Sequence, residues 1–232
     1  SAYYDKINID RLLAIYKERF GDAGGMHFVF AGSFSEDQLI PLVEKYIASL
    51  PATGKKFNYI DNKVRPVQGY KNLTIKKGKE QKSLILSFFN GEAPFTEDLE
   101  LKAEVLSEIL NIRIIEELRE KIQGIYGGGT VAQLEKEPYN NYSFILQLPC
   151  GPEKVDTLLK AIRVEFDNMV AKGPQQSYLD KVKKQLIEQN KVAMKENNTW
   201  AGELWDIGVK KHDPRYFLQY EKILQRLTVK DI

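Results

Sequence analysis

The stretch that decides the fold runs from Asn111 to Thr130 and reads NIRIIEELREKIQGIYGGGT. Apolar residues recur at every fourth position through its first part, which predicts one apolar face of an amphipathic helix. These residues are Leu110, Ile114, Leu118 and Ile122. Gln123 and Gly124 end the helix, and Ile125-Tyr126 opens a predicted strand that three glycines follow at once. Arg119, in the last helical turns, is therefore held near a tyrosine at the start of a strand.

Arg119 and Tyr126 have two interpretations. An arginine offers a fixed fork of donors to a carbonyl or carboxylate, and a tyrosine hydroxyl can donate to a developing oxyanion. The structural alternative is a solvated helix arginine and a sheet aromatic. On the polar side of the same helix, Glu117 precedes Lys121 by four residues, which predicts an ion pair.

The three glycines that follow Tyr126 indicate a strand bulge or a close approach of another backbone. They do not form a phosphate-binding loop, because they come after the helix rather than before one. The single cysteine, Cys150, stands at a strand end and is interpreted as a small buried apolar residue.

The second part of the chain, residues 69–232, follows the order strand–strand–helix–helix–strand–strand–helix–helix. Paired strands with helices between them favour an α+β fold, an antiparallel sheet with helices packed on one face. The evidence for each element is its periodicity and its capping residues. The elements are a hairpin of Gly69 to Lys77 and Ser83 to Phe89, a helix capped by Thr96, the quoted stretch, a strand from Tyr142 to Leu148, a helix begun by Pro152 and a long helix capped by Ser177. Shorter helices capped by Thr199 and begun at Asp213-Pro214 follow.

The first part, residues 1–51, reads as helix–strand–helix. Asn8 caps the first helix, and Met26 to Ala31 is a continuous apolar run that predicts a buried strand. Ser35 opens a capping box for the second helix, which contains Pro41 and is kinked by it. This unit needs more strands than it contains. Residues 52–68 are polar and read as a linker.

The segment from Leu118 to Gly127 resembles a known signature. Leu118-Arg119-Glu120-Lys121, then Gly124, then Tyr126-Gly127 is similar to the Arg/Tyr motif in the C-terminal half of M16 (pitrilysin-type) zinc metallopeptidases, most of all in the bacterial, PqqL-like branch. The resemblance covers Ile9 to Ile232. It implies a LuxS/MPP-like metallohydrolase-type domain at 69–232, truncated at its end, preceded by the C-terminal part of a second such domain at 1–51.

The same resemblance implies a function for the motif. In the family, the C-terminal half closes over an unfolded peptide and presents the pair to a zinc site on the N-terminal half, in the same or a partner chain. Arg119 would grip the substrate, Tyr126 would polarise the scissile carbonyl, and Gly127 and Gly128 would line the peptide. Zinc is then a cofactor of the full-length protein, and the bacterial branch implies a periplasmic setting.

The sequence departs from the family's catalytic half. Peptide-cleaving members carry an H-x-x-E-H helix, whereas this chain has only His27 and His212. His27 is expected to be a core histidine within a strand, and His212 a surface loop residue. No zinc site of its own is expected, so this chain should be inactive alone and would be a fragment of a metalloendopeptidase. The missing initial methionine and a helix-launching capping box at Thr228 to Asp231 point the same way.

Composition constrains the alternatives. The chain has 232 residues, 43% of them hydrophobic, which is enough for a substantial core. Its net charge of +2 gives no bias toward nucleic acid or membrane. One alternative is a non-catalytic M16-like scaffold or binding subunit. A second is an α+β interaction module that binds protein, or nucleic acid through the lysine-rich hairpin at residues 71–82, with steep salt dependence; those lysines otherwise belong to a solvated edge.

Overall fold

The computed structural model describes residues 3–55 and 58–232. Positions 1 and 2, and positions 56 and 57 of the predicted linker, lie outside the described residues. The chain divides into two units, Ser1–Tyr59 with Met194–His212, and Ile60–Ala193 with Asp213–Ile232. The domain boundaries drawn from the sequence stay a prediction.

The described residues form eight α-helices and three strands, and short 3-10 turns lie at Tyr4–Lys6 and Pro152–Lys154. In chain order the elements are α1 (Ile9–Phe20), α2 (Glu36–Tyr46), β1 (Ser83–Gly91), α3 (Glu97–Ile114) with a π-helical continuation (Ile115–Lys121), β2 (Gly129–Glu135), β3 (Asn141–Cys150), α4 (Val155–Lys172), α5 (Gln176–Ala193), α6 (Asn197–Trp205) with a π-helical turn (Asp206–Lys210), α7 (Pro214–Leu218) and α8 (Tyr220–Arg226).

In the first unit, the ends of α1 and α2 follow local sequence. The side chain of Asn8 accepts a hydrogen bond from the Arg11 N–H at 2.8 Å, so the predicted cap of α1 is confirmed. Pro41 lies inside α2 as predicted. The Ser35 side chain makes no capping bond, so that half of the predicted capping box is wrong.

The predicted buried strand from Met26 to Ala31 is wrong. This segment forms no ladder, and Phe28 and Phe30 are exposed. A strand needs a neighbouring backbone to satisfy its N–H and C=O groups, and none of the described residues pairs with this segment. An apolar run of this kind shows that the segment is hydrophobic, but it does not show that a strand forms.

The second unit is built on a three-stranded antiparallel sheet of order β1-β3-β2. In β1, Ile85 is buried and pairs with the buried Leu148 of β3. The alternate residues of β1, Leu84, Leu86 and Phe88, are exposed on the opposite face. Because the strand period is two, one face packs on helices and the other does not. The predicted α+β antiparallel sheet with helices on one face is confirmed.

Two apolar clusters fill the second unit. The first joins the buried face of the sheet to α4 and to the π-helical continuation of α3, and it includes Leu118, Leu146 and Leu158. The second joins α3, α5 and α8 through Val105, Leu179 and Leu224. The helix that carries Arg119 is therefore packed on both the sheet and its neighbouring helices.

The segment from Gly69 to Lys77 does not form the first strand of a hairpin, so that prediction is wrong. Tyr70, Leu73 and Ile75 are each more than three-quarters exposed. The alternation of Leu73 and Ile75 fits a strand, but pairing at the free edge of β1 would leave most of this lysine-rich segment in water and would bury little apolar area.

The two helices predicted between Thr96 and Gly124 are one continuous helix, because no breaker separates Leu110 from Asn111. The Thr96 hydroxyl accepts from the Leu99 N–H at 3.0 Å, as predicted. In the segment before β1, Arg65 forms an ion pair with Asp61 at 2.7 Å and lies 3.5 Å from the centre of the Tyr139 ring. This stacking fixes the segment to the β2–β3 end of the sheet.

Candidate functional site

Arg119 lies in the π-helical continuation of α3, where the Ile122 N–H donates to the Glu117 carbonyl five residues back at 3.2 Å. In an α-helix a step of four residues overshoots a full turn by about 40°, whereas a π-helix with i→i+5 bonds turns less per residue. The π segment therefore keeps apolar residues that are four positions apart on the same side of the helix. Leu118 is fully buried on that face, and Arg119 is exposed beside it.

Tyr126 is held at the edge of the sheet by its backbone. The helix ends at Lys121, Gln123 then adopts a left-handed φ of 51°, and Ile125 forms a single bridge to Cys150. The Tyr126 N–H then donates to the Pro149 carbonyl at 3.0 Å. Its side chain is 72% exposed. The continuous strand β2 begins only at Gly129, so the strand start predicted at Ile125-Tyr126 is wrong by a few residues.

Two of the three glycines are required by close packing. Gly128 has a φ of +96°, and a Cβ there would collide with the Gln147 carbonyl oxygen of β3. A Cβ at Gly129 would lie 2.6 Å from Asn111 Oδ1. Gly127 has nothing within 4 Å of such a position, so it leaves backbone open beside Tyr126. The predicted close approach of another backbone therefore applies to Gly128, whereas the close neighbour of Gly129 is the Asn111 side chain.

Two carboxylates near Arg119 on the helix, Glu116 and Glu117, are engaged by other side chains, whereas the adjacent Glu120 is exposed. Glu117 accepts from Lys121 at 2.5 Å, which confirms the predicted ion pair, and this bond raises the pKa of Lys121. Glu116 accepts from the Tyr178 hydroxyl at 2.6 Å and thereby raises the pKa of that tyrosine. Within residues 3–55 and 58–232, Arg119 makes no side-chain hydrogen bond or ion pair. Its guanidinium is available to bind a carbonyl or carboxylate.

Asn111 makes hydrogen bonds to Thr130 that the sequence did not predict. Its Oδ1 accepts from the Thr130 N–H at 2.6 Å, and its Nδ2 donates to the Thr130 carbonyl at 3.2 Å. The Ser107 hydroxyl donates to the same carbonyl at 2.9 Å. We call Ser107, Asn111 and Thr130 the Asn111 clasp. A mid-helix asparagine four residues after a serine was the available sequence signal, but neither side chain reveals its partner.

The histidines and the cysteine differ in how well they match expectation. His27 is exposed, so the prediction of a core histidine is wrong, because the strand expected to bury it does not form. His212 is half-buried just before α7. Cys150 is 1% exposed, which confirms the predicted buried cysteine, and burial raises the pKa of its thiol.

Neither a metal-binding cluster nor a membrane-spanning helix occurs in the described ranges. Residues 3–55 and 58–232 contain no group of three or more His, Cys, Asp or Glu side chains placed to hold a metal ion. Over the same ranges, no helix combines the length and apolarity needed to cross a bilayer.

The sequence is similar to a family profile and to a known protein. The profile described as the peptidase M16 inactive domain matches residues 6–186. The chain belongs to this peptidase M16 family. The probable zinc protease PqqL of Escherichia coli (strain K12) is 19% identical over 232 residues, which covers 95% of this chain and 24% of that protein.

Solved structures of M16-type proteins share the fold. The periplasmic protease PqqL from Escherichia coli superposes with a TM-score of 0.69 at 18% identity, over 86% of this chain and 22% of that one. A protease from Helicobacter pylori superposes with a TM-score of 0.65 at 18% identity, over 87% of this chain and 49% of that one. The chain thus spans about a quarter of the length of its curated relative.

Proposed function

We propose that this chain is the C-terminal, substrate-clamping portion of an M16-type zinc metalloendopeptidase. The observation that carries the proposal is one junction: an exposed Arg119 whose neighbours Glu116 and Glu117 are engaged elsewhere, and an exposed Tyr126 followed by the open backbone of Gly127. In a chain of this family, two exposed polar side chains at such a junction suit contact with a peptide better than a structural role.

The side chains have separate tasks. Arg119 grips the substrate by donating to a backbone carbonyl or carboxylate, which contributes to binding. Tyr126 donates its hydroxyl proton in a hydrogen bond to the scissile carbonyl oxygen as negative charge develops there. Gly127 lets the peptide backbone come close, because no Cβ stands in the way, and Gly128 beside it lines the peptide with its backbone.

Zinc and the partner belong outside this chain. The described residues do not fit a zinc site, and the sequence lacks H-x-x-E-H. When bound in the N-terminal half, of the same or a partner chain, zinc would supply an activated water. We infer an unfolded peptide as substrate and the periplasm as compartment, since the relative PqqL is described as a periplasmic protease.

A non-catalytic scaffold or binding subunit is the second candidate. The family's description as an inactive domain favours it. In that case Arg119 and Tyr126 are vestigial. The two candidates differ in what happens to peptide hydrolysis when these side chains are removed.

The test is steady-state kinetics of the full-length protein that contains this chain, with a quenched-fluorescent peptide it cleaves. Tyr126→Phe should lower kcat by about 10²-fold or more, as loss of an oxyanion donor does. Arg119→Ala should raise KM, since a charge-assisted bond contributes about 1.5–3 kcal/mol.

Matched controls remove the same groups elsewhere. Arg163→Ala takes away an exposed arginine on α4, and Tyr70→Phe takes away the hydroxyl of a tyrosine that is 90% exposed. Both should leave kcat and KM unchanged. Wild-type kinetics in Arg119→Ala and Tyr126→Phe would instead support the scaffold.

A further inference from the structure

Besides the hydrogen bond from the Gly124 N–H to the Leu118 carbonyl at 2.9 Å, two connections join the π-helical segment with Arg119 to the loop with Tyr126. The first connection is the chain itself, from Ile122 to Gly128. The second is the Asn111 clasp, which ties α3 to the first residues of β2. Because Arg119 is on the continuation of α3 and Tyr126 lies three residues before Gly129, the clasp closes this loop into a ring.

The hydrogen bonds of the clasp hold Thr130 in one position relative to α3. Thr130 is 3% exposed and Ser107 is 5% exposed, so their hydrogen bonds are shielded from water and costly to leave unmade. The Asn111 side chain serves both backbone groups of Thr130 at the outer edge of β2. No other strand pairs with that edge among the described residues.

Gly129 shows how closely the clasp fits. A Cβ there would lie 2.6 Å from Asn111 Oδ1, the atom that accepts from the Thr130 N–H. Its φ is not in the left-handed region, so space and not backbone conformation excludes a side chain. Any larger residue would push Asn111 off Thr130.

We propose that Asn111 is a positioning residue: through Thr130 it fixes where the loop holds Tyr126 relative to Arg119. The inference rests on the proposed role of the Arg119/Tyr126 pair and deepens it. Asn111 itself touches no substrate. Its loss lets the start of β2 move and carries Tyr126 with it, which matters because a misplacement of about 1 Å can cost about 10²-fold in rate.

The kinetic test uses a double-mutant cycle in the full-length protein, with the quenched-fluorescent peptide that the wild type cleaves fastest. Asn111→Ala should lower kcat about 10-fold or more with KM little changed. In a Tyr126→Phe background it should have almost no further effect, because the group it positions is gone. Asn111→Asp keeps the Oδ1 acceptor and should recover part of the lost rate.

A second variant approaches the clasp from the other side. Gly129→Ala should reproduce the fall in kcat, and in an Asn111→Ala background it should add little because the clashing oxygen is absent. Glu108→Ala is the control: Glu108 lies on the same helix and accepts from Gln185 at 3.1 Å, away from β2. It should leave kcat unchanged.

Amide hydrogen exchange of the 232-residue chain gives a readout without activity. Asn111→Ala should speed exchange at Thr130 and also at Tyr126, whose N–H is bonded to Pro149. Faster exchange at Thr130 alone would overturn the inference, as would a kcat effect that multiplies fully with that of Tyr126→Phe. An unchanged kcat in Tyr126→Phe itself would refute the proposed function. The exchange rate of the Tyr126 amide in Asn111→Ala would still test whether the clasp positions the loop.

Discussion

Gly127 and Gly128 are adjacent, chemically identical and predicted to respond oppositely to alanine. At Gly128, alanine must adopt a φ of +96° and place a Cβ against the Gln147 carbonyl oxygen. The left-handed conformation alone costs about 1–2 kcal/mol, and the backbone of β3 must also move. At Gly127 there is nothing within 4 Å, and reduced freedom of the unfolded chain can stabilise by up to about 1 kcal/mol.

The assay is thermal and urea unfolding of the chain, followed by circular dichroism. Gly128→Ala should lower the free energy of unfolding by about 2 kcal/mol or more, which corresponds to a fall in Tm of about 4 °C or more for a chain of this size. Gly127→Ala should stay within about 1 kcal/mol of wild type. Equal losses in the two variants, or a loss confined to Gly127→Ala, would refute the described geometry of the loop.

Two further predictions concern the core and the segment before β1. Leu118→Ala should destabilise by about 2–5 kcal/mol because Leu118 is fully buried, whereas Ile115→Ala, at a side chain 40% exposed, should cost much less; similar melting temperatures would contradict the packing of the π-helical segment. The hydrogen bond from Arg65 holds the pKa of Asp61 well below its usual range. The stability it contributes is therefore present above about pH 4 and is lost as pH falls toward the depressed value. An NMR titration should show the Asp61 pKa returning toward about 3.9 in Arg65→Ala, and an unchanged titration would refute the pairing.

Local signals were predictable from the sequence because their causes are local. Asn8 and Thr96 cap helices through bonds to backbone groups three residues away, and Gln123-Gly124 ends a helix by its own backbone conformation. The Glu117–Lys121 pair follows from helical spacing alone. Such features need no knowledge of the rest of the chain.

Strands were less predictable because they depend on partners. Met26 to Ala31 and Gly69 to Lys77 both have strand-like sequences, yet neither is paired in the described residues. Apolar alternation shows that a segment could be half-buried; it does not show which backbone would satisfy its hydrogen bonds. The exposure of His27 follows directly from this, since its predicted burial relied on the first of these strands.

The candidate site was partly predictable. The spacing of Arg119 and Tyr126 is visible in the sequence, and the structure leaves both side chains exposed at the same junction. The sequence analysis did not predict the π-helical segment, although apolar residues at every fourth position are the pattern that fits it. Asn111 could not be assigned a partner, because its contact with Thr130 spans nineteen residues and a helix-to-strand turn.

Photo-cross-linking shows whether Tyr126 contacts a bound peptide. A photoreactive phenylalanine analogue is placed at Tyr126 in the full-length protein, zinc is removed by chelation to stop hydrolysis, and a dye-labelled peptide is added before irradiation. The same analogue at Tyr70 is the control, since that side chain is 90% exposed and has no proposed role. We expect the labelled peptide to cross-link at position 126 and not at position 70. Equal labelling at both positions, or none at 126, would contradict the account.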